Sequence, residues 1–381
     1  MKILFINYGP YAGCSGVHIH FLAQTLTELG HECLVCLPLS SEGFDYFGPR
    51  AYTALTVQEL NIAHVRGAVV HAWTPREFPR QLVQLIRTKT PTPYFVHLED
   101  NELEIAAQTF GVHTLEEQKI AAQTHPELLD GYTQTNPLFF EEFLQNASGV
   151  TCIIKKLEEF VPQGVPRMTF WPACEDTFFH IPAARPQAAL TAMGIGSEVT
   201  VLAYPGAVHS YNKETFFNLL KAMDMLAQQG KALTLLRAGI EYDCLDEQEL
   251  ALYQKYVVRL QVDGATQLPA MLALADILVQ PGRPGPFDNY RFPSKAPMFL
   301  ASGRPVMLPA TNVAESLRHG KDCLLLREGT AEEIARYLDI LMQHPDVAQS
   351  IGRQGRASAR RLFSWKKSAE ALVNFYAAAL G

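Results

Sequence analysis

The sequence predicts an α/β fold of two Rossmann-like, doubly wound domains that face a cleft. Three observations predict it. At 381 residues the chain is longer than one hydrophobic core usually supports. A buried strand, a glycine-containing loop, a helix and a second strand follow one another over residues 2–38, and the same order returns over 200–237. Between the halves, residues 172–190 have the proline-rich composition of a linker.

The domain boundaries follow from that repetition. We expect an N-terminal domain over residues 1–171, the linker over 172–190 and a C-terminal domain over 191–362. A last amphipathic helix over 363–381 can stay with the second domain or cross back to the first. Two α/β domains in sequence place the default binding site in the cleft between them.

Composition and charge exclude several classes of protein. The net charge of -7 leaves no basic excess for phosphate backbones, so we predict no nucleic-acid partner. The N-terminus runs directly into a strand without a signal-peptide pattern, and no segment reaches the roughly 18 apolar residues of a membrane span. Seven scattered cysteines fit a reducing cytoplasm. We therefore expect a cytoplasmic protein with peripheral membrane contact at most.

A glycine loop follows the first strand. Lys2–Asn7 is apolar, and the next residues include Gly9, Gly13 and Gly16 before a helix with apolar side chains at helical spacing. The spacing is not G-x-G-x-x-G, so the dinucleotide fingerprint is absent. Glycines at this place either allow a ligand to approach the backbone closely or serve a purely structural turn.

A later strand, residues 93–97, brings His97 to its carboxyl end. Ligands bind at this edge of an open α/β sheet, so His97 is the best catalytic candidate in the first half. Residues 101–148 are polar and helical in pattern, which fits a lid, a ligand platform or plain scaffold. The preceding helix, near residues 76–89, carries Arg76, Arg80, Arg87 and Lys89 on a face that is either solvated or in contact with an acidic ligand or a membrane surface.

Residues 291–306 predict a phosphate site. The segment is a polar loop that enters a short helix and leaves through Gly303 into a buried strand. Arg291, Ser294 and Lys295 fall at the positive end of that helix, where Ser294 is placed to act as N-cap. Considered alone, the same segment fits a compact connector equally well.

The order and spacing of these pieces resemble the GT-B fold glycosyltransferases of the retaining family 4, or glycosyltransferase group 1, type. The resemblance extends over nearly the whole chain and is carried by residues 13–32, 172–179, 206–213, 275–277, 300–306 and 363–365. It implies transfer of a sugar, as in a hexosyltransferase, from a nucleotide-diphosphate donor to an acceptor hydroxyl with retention. The first domain is then the acceptor side and the second the nucleotide-sugar side.

The resemblance also implies roles for individual residues. Gly16 and Gly13 match positions whose amides meet the donor diphosphate, and Lys213 matches the basic residue that neutralises it. His97 matches the histidine near the transferring sugar. Ser294 and Lys295 head the helix that faces the phosphates. The nucleoside lies along this helix, with its base against the loop at Asp263 and Gly264.

Two departures from the family pattern are informative. Gly206 is followed by Ala207 where the family has an arginine, so Lys295, Arg291 or Arg283 is expected to substitute. Met298 occupies the place of the glutamate that binds ribose, and Asp288 is our candidate for the other acidic position. Because a thioether accepts hydrogen bonds weakly, recognition of the nucleoside is altered or the donor is unusual.

The expected partners are a nucleotide-sugar donor and a glycan, lipid-linked or small-molecule acceptor. We expect no cofactor, no metal and no dedicated protein nucleophile, so that cations and amides stabilise the leaving diphosphate. Two alternatives on the same fold stay open, a nucleotide-sugar epimerase and a non-catalytic sugar-nucleotide binder. A periplasmic-type binding protein is a more distant reading.

Overall fold

A computed structural model describes residues 1–38, 46–129, 131–208, 212–240, 245–262 and 267–381. The chain divides into two units of similar size. The N-terminal unit comprises Met1–Pro172, the short segment Tyr290–Phe292 and Trp365–Gly381. The C-terminal unit comprises Ala173–Asn289 and Pro293–Ser364.

The N-terminal unit is built on a parallel sheet of seven strands. These are β1 (Lys2–Asn7), β2 (Glu32–Leu37), β3 (Thr53–Thr56), β4 (Ala68–Trp73), β5 (Tyr94–Leu98), β6 (Gly149–Cys152) and β7 (Arg167–Thr169), in the order β3-β2-β1-β4-β5-β6-β7. The helices are α1 (Cys14–Glu28), α2 (Ile62–Val65), α3 (Glu77–Lys89), α4 (Glu102–Phe110), α5 (Leu115–Thr124) and α6 (Pro137–Gln145). The central strands are buried along nearly their full length, which explains their continuous apolar runs.

The C-terminal unit repeats this architecture with six parallel strands. These are β8 (Thr200–Pro205), β9 (Leu233–Ala238), β10 (Val257–Arg259), β11 (Ile277–Val279), β12 (Val306–Pro309) and β13 (Leu324–Leu326), in the order β10-β9-β8-β11-β12-β13. The helices are α7 (Gln187–Ala192), α8 (Lys213–Ala227), α9 (Glu247–Tyr256), α10 (Leu268–Leu274), α11 (Ala296–Ser302), α12 (Ala331–Gln343) and α13 (Pro345–Leu362). Its core joins buried Phe216 and Leu220 of α8 to Ile334 and Leu338 of α12.

In both sheets the strand order reverses beside the first strand of the unit. The reversal falls between β1 and β4 in one sheet and between β8 and β11 in the other. Ligands of doubly wound folds bind at the carboxyl ends of the strands at this point. The predicted α/β fold with two Rossmann-like domains is confirmed.

The last helix, α14 (Trp365–Leu380), belongs to the N-terminal unit. Its Tyr376 is fully buried, and the hydroxyl lies 2.6 Å from Nδ1 of His71 on β4. Gly149 on β6 makes room for the helix, because a Cβ there would lie 2.7 Å from Cζ of Phe375. Within the described ranges, no helix is both long and apolar enough to cross a membrane.

One local prediction is wrong. Ser294 does not cap α11, because the helix begins one residue later with Lys295 as N-cap and no side-chain cap bond. Beyond α11, Asn312–Ser316 forms a short 3-10 helix. The Glu333 carboxylate accepts the amides of residues 327–329, before the start of α12.

Candidate functional site

A row of side chains crosses the N-terminal sheet at its carboxyl edge. The register pairs Asn7 with Trp73, Trp73 with His97 and His97 with Thr151 across β1, β4, β5 and β6. Residues at one level of a parallel sheet point to the same face. The rings of Trp73 and His97 stack with their centroids 4.0 Å apart. The sequence-predicted His97 therefore lies in an aromatic, fully buried setting.

Four buried polar atoms in this row, or next to it, have no hydrogen-bond partner among the described residues. They are Asn7 Oδ1, Trp73 Nε1, Thr74 Oγ1 and His97 Nε2. Thr74 also has a φ of 80°, a strained conformation for a β-branched residue. Unpaired buried polar groups and backbone strain are rare in native proteins and concentrate at functional sites. Their clustering beside the strand reversal marks this edge as a candidate site.

His97 stands at the end of a buried hydrogen-bond chain. From Tyr376 the chain continues through His71, whose Nε2 lies 3.0 Å from Thr151 Oγ1, and Thr151 Oγ1 lies 2.8 Å from His97 Nδ1. Burial lowers the pKa of His71 well below its ordinary value and that of His97 to about 3. Both rings are therefore neutral at physiological pH, and each carries one N–H.

Donor counting fixes the tautomer of His97. If Tyr376 donates to His71, His71 to Thr151 and Thr151 to His97 Nδ1, every hydroxyl hydrogen is used. The remaining hydrogen is then on His97 Nε2, the atom without a partner among the described residues. Any other assignment leaves a buried hydroxyl hydrogen unpaired, and those that place the hydrogen on His97 Nδ1 also leave a bare lone pair on Nε2. His97 is thus set up as a neutral hydrogen-bond donor.

The three carboxylates behind β5 are all engaged. Glu99 accepts hydrogen bonds from Ser15 and, at 2.9 Å, from His18, both in the first turns of α1. Burial opposes ionisation of Glu99, but these bonds and the neighbouring histidines lower its pKa to about 2. Glu102 accepts from Thr135 at 2.6 Å and from Arg76 Nε. Asp100 lies 3.5 Å from Arg291 Nε, with Arg76 at 3.8 Å on its other oxygen.

The basic face predicted on α3 is divided, because Arg87 and Lys89 are exposed whereas Arg76 and Arg80 are buried. Arg76 and Arg80 are both more than nine-tenths buried. Arg80 forms a two-pronged ion pair with Glu77, and Arg76 pairs with Glu102 and lies over the ring of Tyr8 at 4.1 Å. These two arginines therefore stabilise the N-terminal unit internally and offer no basic surface.

The glycine loop has structural reasons for its glycines. A Cβ on Gly16 would lie 1.9 Å from the Tyr11 carbonyl oxygen, and one on Gly13 would lie 3.1 Å from the Pro10 oxygen. The loop therefore folds back onto the first turn of α1. The Glu99 carboxylate already lies at that helix end, where it complements the helix dipole. The predicted contact of Gly13 and Gly16 with a diphosphate stays a prediction, and Glu99 disfavours it electrostatically.

In the C-terminal unit, glycines and a lysine meet at the carboxyl ends of β8 and β9. A Cβ on Gly206 would lie 2.9 Å from Cε of Lys295, and one on Gly239 would lie 2.9 Å from the Gly206 carbonyl carbon. Lys295 Nζ is 5.4 Å from the ring centroid of Tyr204, the next-to-last residue of β8. Glycine backbone beside an ammonium group and the Tyr204 hydroxyl, at the strand reversal, has the composition of a phosphate site.

Of the three predicted substitutes for the missing arginine, Lys295 alone is shown against Gly206. Arg283 forms a bidentate ion pair with Glu214 at 2.9 and 2.8 Å. Arg291 belongs to the N-terminal unit, where it pairs with Asp100. Lys213, the first residue of α8, lies with its ammonium 2.7 Å from Glu249.

The remaining predicted donor residues have different surroundings. The Asp288 side chain stabilises the loop that contains it, because one carboxylate oxygen accepts a hydrogen bond of 3.0 Å from the Arg283 backbone amide. Met298 is half-buried on α11, and Ser294 is half-buried just before it. Asp263 and Gly264 lie outside the described residues.

Sequence reasoning missed several residues of both clusters. Gly239 follows a strand and has a φ of 117°, a conformation that glycine adopts without strain. A glycine directly after a strand is the sequence signal that could have identified this residue as part of the cluster. Trp73 is the last residue of β4 and Thr74 follows it, yet nothing in the sequence indicates the backbone strain at Thr74. Within the described ranges, no group of three or more His, Cys, Asp or Glu side chains is arranged to hold a metal ion.

Comparison with known families gives a match in the C-terminal unit. A family model described as Glycosyl transferases group 1 matches residues 199–344. No curated protein matches the sequence.

Solved structures of similar fold cover nearly the whole chain. A sucrose-phosphate synthase from Thermosynechococcus elongatus has a TM-score of 0.67 at 14% identity, covering 99% of this chain and 98% of its own. A glycosyltransferase from Rickettsia africae has a TM-score of 0.70 at 12% identity, with 99% and 98% covered. Anabaena HepE, in complex with UDP and glucose, has a TM-score of 0.68 at 14% identity, with 99% of both chains covered. At these identities the likeness shows the fold, which is that of two-domain GT-B glycosyltransferases.

Proposed function

We propose that this protein is a glycosyltransferase. It moves a hexose-like sugar from a nucleotide-diphosphate donor to an acceptor hydroxyl, with retention at the anomeric carbon and without a metal ion. The observation that carries the proposal is the cluster of Lys295, Gly206 and Gly239 at the strand reversal, inside the segment that matches the group 1 family model. The fold shared with HepE, which was solved with UDP and glucose, supports the choice of donor class.

Charge stabilisation is the main catalytic requirement. Departure of a nucleoside diphosphate concentrates negative charge on its oxygens, and pre-positioned cations and amides lower that barrier. Lys295 supplies an ammonium group beside the backbone of Gly206. Lys213 supplies a second one when the diphosphate displaces Glu249 from it. Both side chains act here without a metal.

The contribution of the N-terminal unit is the Nε2–H of His97. A neutral imidazole held by Thr151 donates a hydrogen bond to a sugar hydroxyl, and it does not act as a general base because its pKa is about 3. Glu99, Asp100 and Glu102 are each held by cations or hydroxyl donors. We therefore assign no covalent nucleophile to these three carboxylates, in keeping with a retaining reaction through a short-lived ion pair.

Recognition of the nucleoside differs from the family pattern. Met298 on α11 presents a thioether where the family has a ribose-binding glutamate, and Asp288 already stabilises the loop that contains it. The proposed donor is thus held chiefly through its diphosphate, with weak selection at the ribose. Asp263 remains our candidate near the base. A glycan, lipid-linked or small-molecule acceptor and a cytoplasmic, at most peripherally membrane-bound, location remain parts of the proposal.

The test is incubation with a panel of nucleotide sugars, with and without simple acceptor glycosides, followed by proton NMR of the anomeric signals. The proposal expects consumption of one donor and a product with the donor's anomeric configuration, and Lys295→Ala should lose this activity. An epimerised donor sugar formed without acceptor would favour the epimerase instead. Binding with no turnover under any condition would favour the non-catalytic binder.

A further inference from the structure

A cavity lies at the opposite edge of the C-terminal sheet from Lys295. It has a volume of about 600 Å³ and is bounded by the amino-terminal ends of β8, β11 and β12. Thr200, Ile277 and Pro305 mark these ends. Because parallel strands share one direction, this edge is remote from the carboxyl ends that carry Gly206 and Gly239. The cavity is therefore separate from the proposed donor site.

The charges lining the cavity do not balance. Four arginines contribute to its wall, Arg185, Arg304, Arg353 and Arg356, against two acidic residues, Asp276 and Glu198. Asp276 neutralises Arg185, with Nη1 and Oδ2 2.5 Å apart. Four guanidinium groups against two carboxylates leave two positive charges.

Backbone carbonyls account for part of the guanidinium hydrogen bonding. Arg304 donates to the carbonyls of Ala183 and Ala273, and Arg356 donates to those of Ile181, Ala301 and Ser302. These bonds fix the chain around the end of α11, which is a structural role. They do not neutralise charge.

The hydrogen bonding of the arginines is incomplete at Arg304. It is 8% exposed, and its Nε has no hydrogen-bond partner among the described residues. Burial lowers the pKa of Arg304, Asp276 raises it, and the nearby guanidinium groups of Arg356 and Arg185 lower it again. A buried, partly unpaired guanidinium beside two others is stabilised by an anion.

The rest of the wall limits the size and character of the ligand. Leu341, Met342 and Ala348 give an apolar side. The cavity also meets Pro345, the first residue of the 18-residue helix α13, which has no side-chain cap bond at its N-terminus. A helix of this length directs positive potential out of that end.

We propose that this cavity binds the phosphate group of a small phosphate monoester, with Arg353 and Arg356 as the principal ligands. A phosphate dianion matches the two excess positive charges, and the apolar side accepts the carbon skeleton. The site is a binding site independent of the glycosyl-transfer proposal. It offers a means by which a phosphorylated metabolite stabilises the C-terminal unit.

The test measures binding of glycerol 3-phosphate and of inorganic phosphate by isothermal titration, with potassium chloride at equal ionic strength as the reference salt. The test variant is Arg353→Glu, because Arg353 is exposed and its one described partner is Gln349, a turn earlier on α13. The matched control is Arg361→Glu, which makes the same charge change on α13 outside the cavity. Lys295→Ala serves as the control for the donor site.

We expect saturable binding of glycerol 3-phosphate that weakens at least tenfold in Arg353→Glu and stays within twofold in Arg361→Glu and Lys295→Ala. Tighter binding of the ester than of inorganic phosphate is expected from the apolar wall. Absence of saturable binding would overturn the proposal. Equal weakening by both α13 variants would also overturn it, because binding would then depend on the overall charge of the protein. Loss of binding in Lys295→Ala would overturn it as well, because the phosphate would then be bound at the proposed donor site.

Discussion

Thr151 and His97 are joined by a hydrogen bond of 2.8 Å between Oγ1 and Nδ1, in the middle of a buried chain that starts at Tyr376. The two residues are register neighbours on β5 and β6. Through this bond the C-terminal helix α14, more than 200 residues later in sequence, determines which nitrogen of His97 carries the hydrogen.

The tautomer of His97 is directly observable. Nitrogen NMR of protein labelled at histidine is expected to show protonated Nε2 and unprotonated Nδ1 for His97. Thr151→Val removes the donor to Nδ1 and should populate the other tautomer, with kcat reduced by about tenfold, the worth of one hydrogen bond. Thr151→Ser keeps the hydroxyl and should preserve both the tautomer of His97 and kcat. A wild-type spectrum with hydrogen on Nδ1 would refute the donor assignment.

In the proposed donor site, Glu249 competes with a diphosphate for Lys213. Its carboxylate lies 2.7 Å from the ammonium group and also caps α9. Glu249→Gln keeps a capping side chain but removes the charge, so UDP should bind about two- to fivefold more tightly, the size expected for a partly exposed ion pair. Isothermal titration checks this. In a Lys213→Ala background the same change should give no gain; a gain there would show that Glu249 acts on some other group.

Stability of the N-terminal unit should fall with acidification. His71 and His97 are fully buried, and burial holds their folded pKa values below the value of about 6.5 of an unfolded chain. The neutral forms are favoured by folding, so this stability is complete above pH 6.5 and is lost as the pH falls toward the folded pKa values. Below pH 6.5, each of these histidines lowers the free energy of unfolding by about 1.4 kcal/mol per pH unit.

The measurement is urea unfolding followed by tryptophan fluorescence at pH 7.5, 6.0 and 5.0. All three tryptophans, Trp73, Trp171 and Trp365, belong to the N-terminal unit, so the signal reports on it alone. His97→Gln should remove about a third of the pH dependence, because burial also lowers the pKa of His20 in the same unit, to about 4. His125→Gln, at a side chain 60% exposed, should leave it unchanged. A free energy of unfolding that does not vary over this range would contradict the buried neutral histidines.

The packing of α14 depends on Gly149. A Cβ at this position would lie 2.7 Å from Cζ of Phe375 and 2.9 Å from Cε1 of Phe95. Gly149→Ala should destabilise the N-terminal unit by about 1–3 kcal/mol, as overpacked cores do. Phe375→Leu should recover part of that loss in the double variant, measured by the same unfolding assay. Additive effects of the two changes would show that Gly149 and Phe375 do not touch.

Long apolar runs and helical periodicity were sufficient to predict the fold class. β1, β4, β5 and β8 are buried along nearly their whole length, so their sequences are unambiguous. The helix α13 contains Gly352 and Gly355, a residue type that disfavours helix interiors. They allow close packing, since a Cβ on Gly352 would lie 2.0 Å from the Gly303 carbonyl oxygen. That contact is tertiary and leaves no local pattern.

The candidate site was less accessible to sequence reasoning. His97 and Lys295 were proposed from their positions after a strand and at a helix start, which is local information, and Lys213 was proposed from the resemblance to the glycosyltransferase family. Which cation meets Gly206 depends on ion pairs between distant residues, Arg283 with Glu214 and Arg291 with Asp100. The hydrogen-bond chain to Tyr376 likewise joins residues 305 positions apart at its first link. Such pairings are set by the fold and have no signature in sequence spacing.

The most direct measurement is isothermal titration of UDP, GDP, ADP and dTDP into the wild type and into Lys295→Ala, Arg283→Ala and Arg291→Ala. If the diphosphate lies on Gly206 and Lys295, at least one nucleotide binds and Lys295→Ala weakens it by roughly tenfold or more, the worth of a charge-assisted hydrogen bond. The two arginine variants should change affinity much less. Failure of every nucleotide to bind, or equal affinity in wild type and Lys295→Ala, would contradict the account.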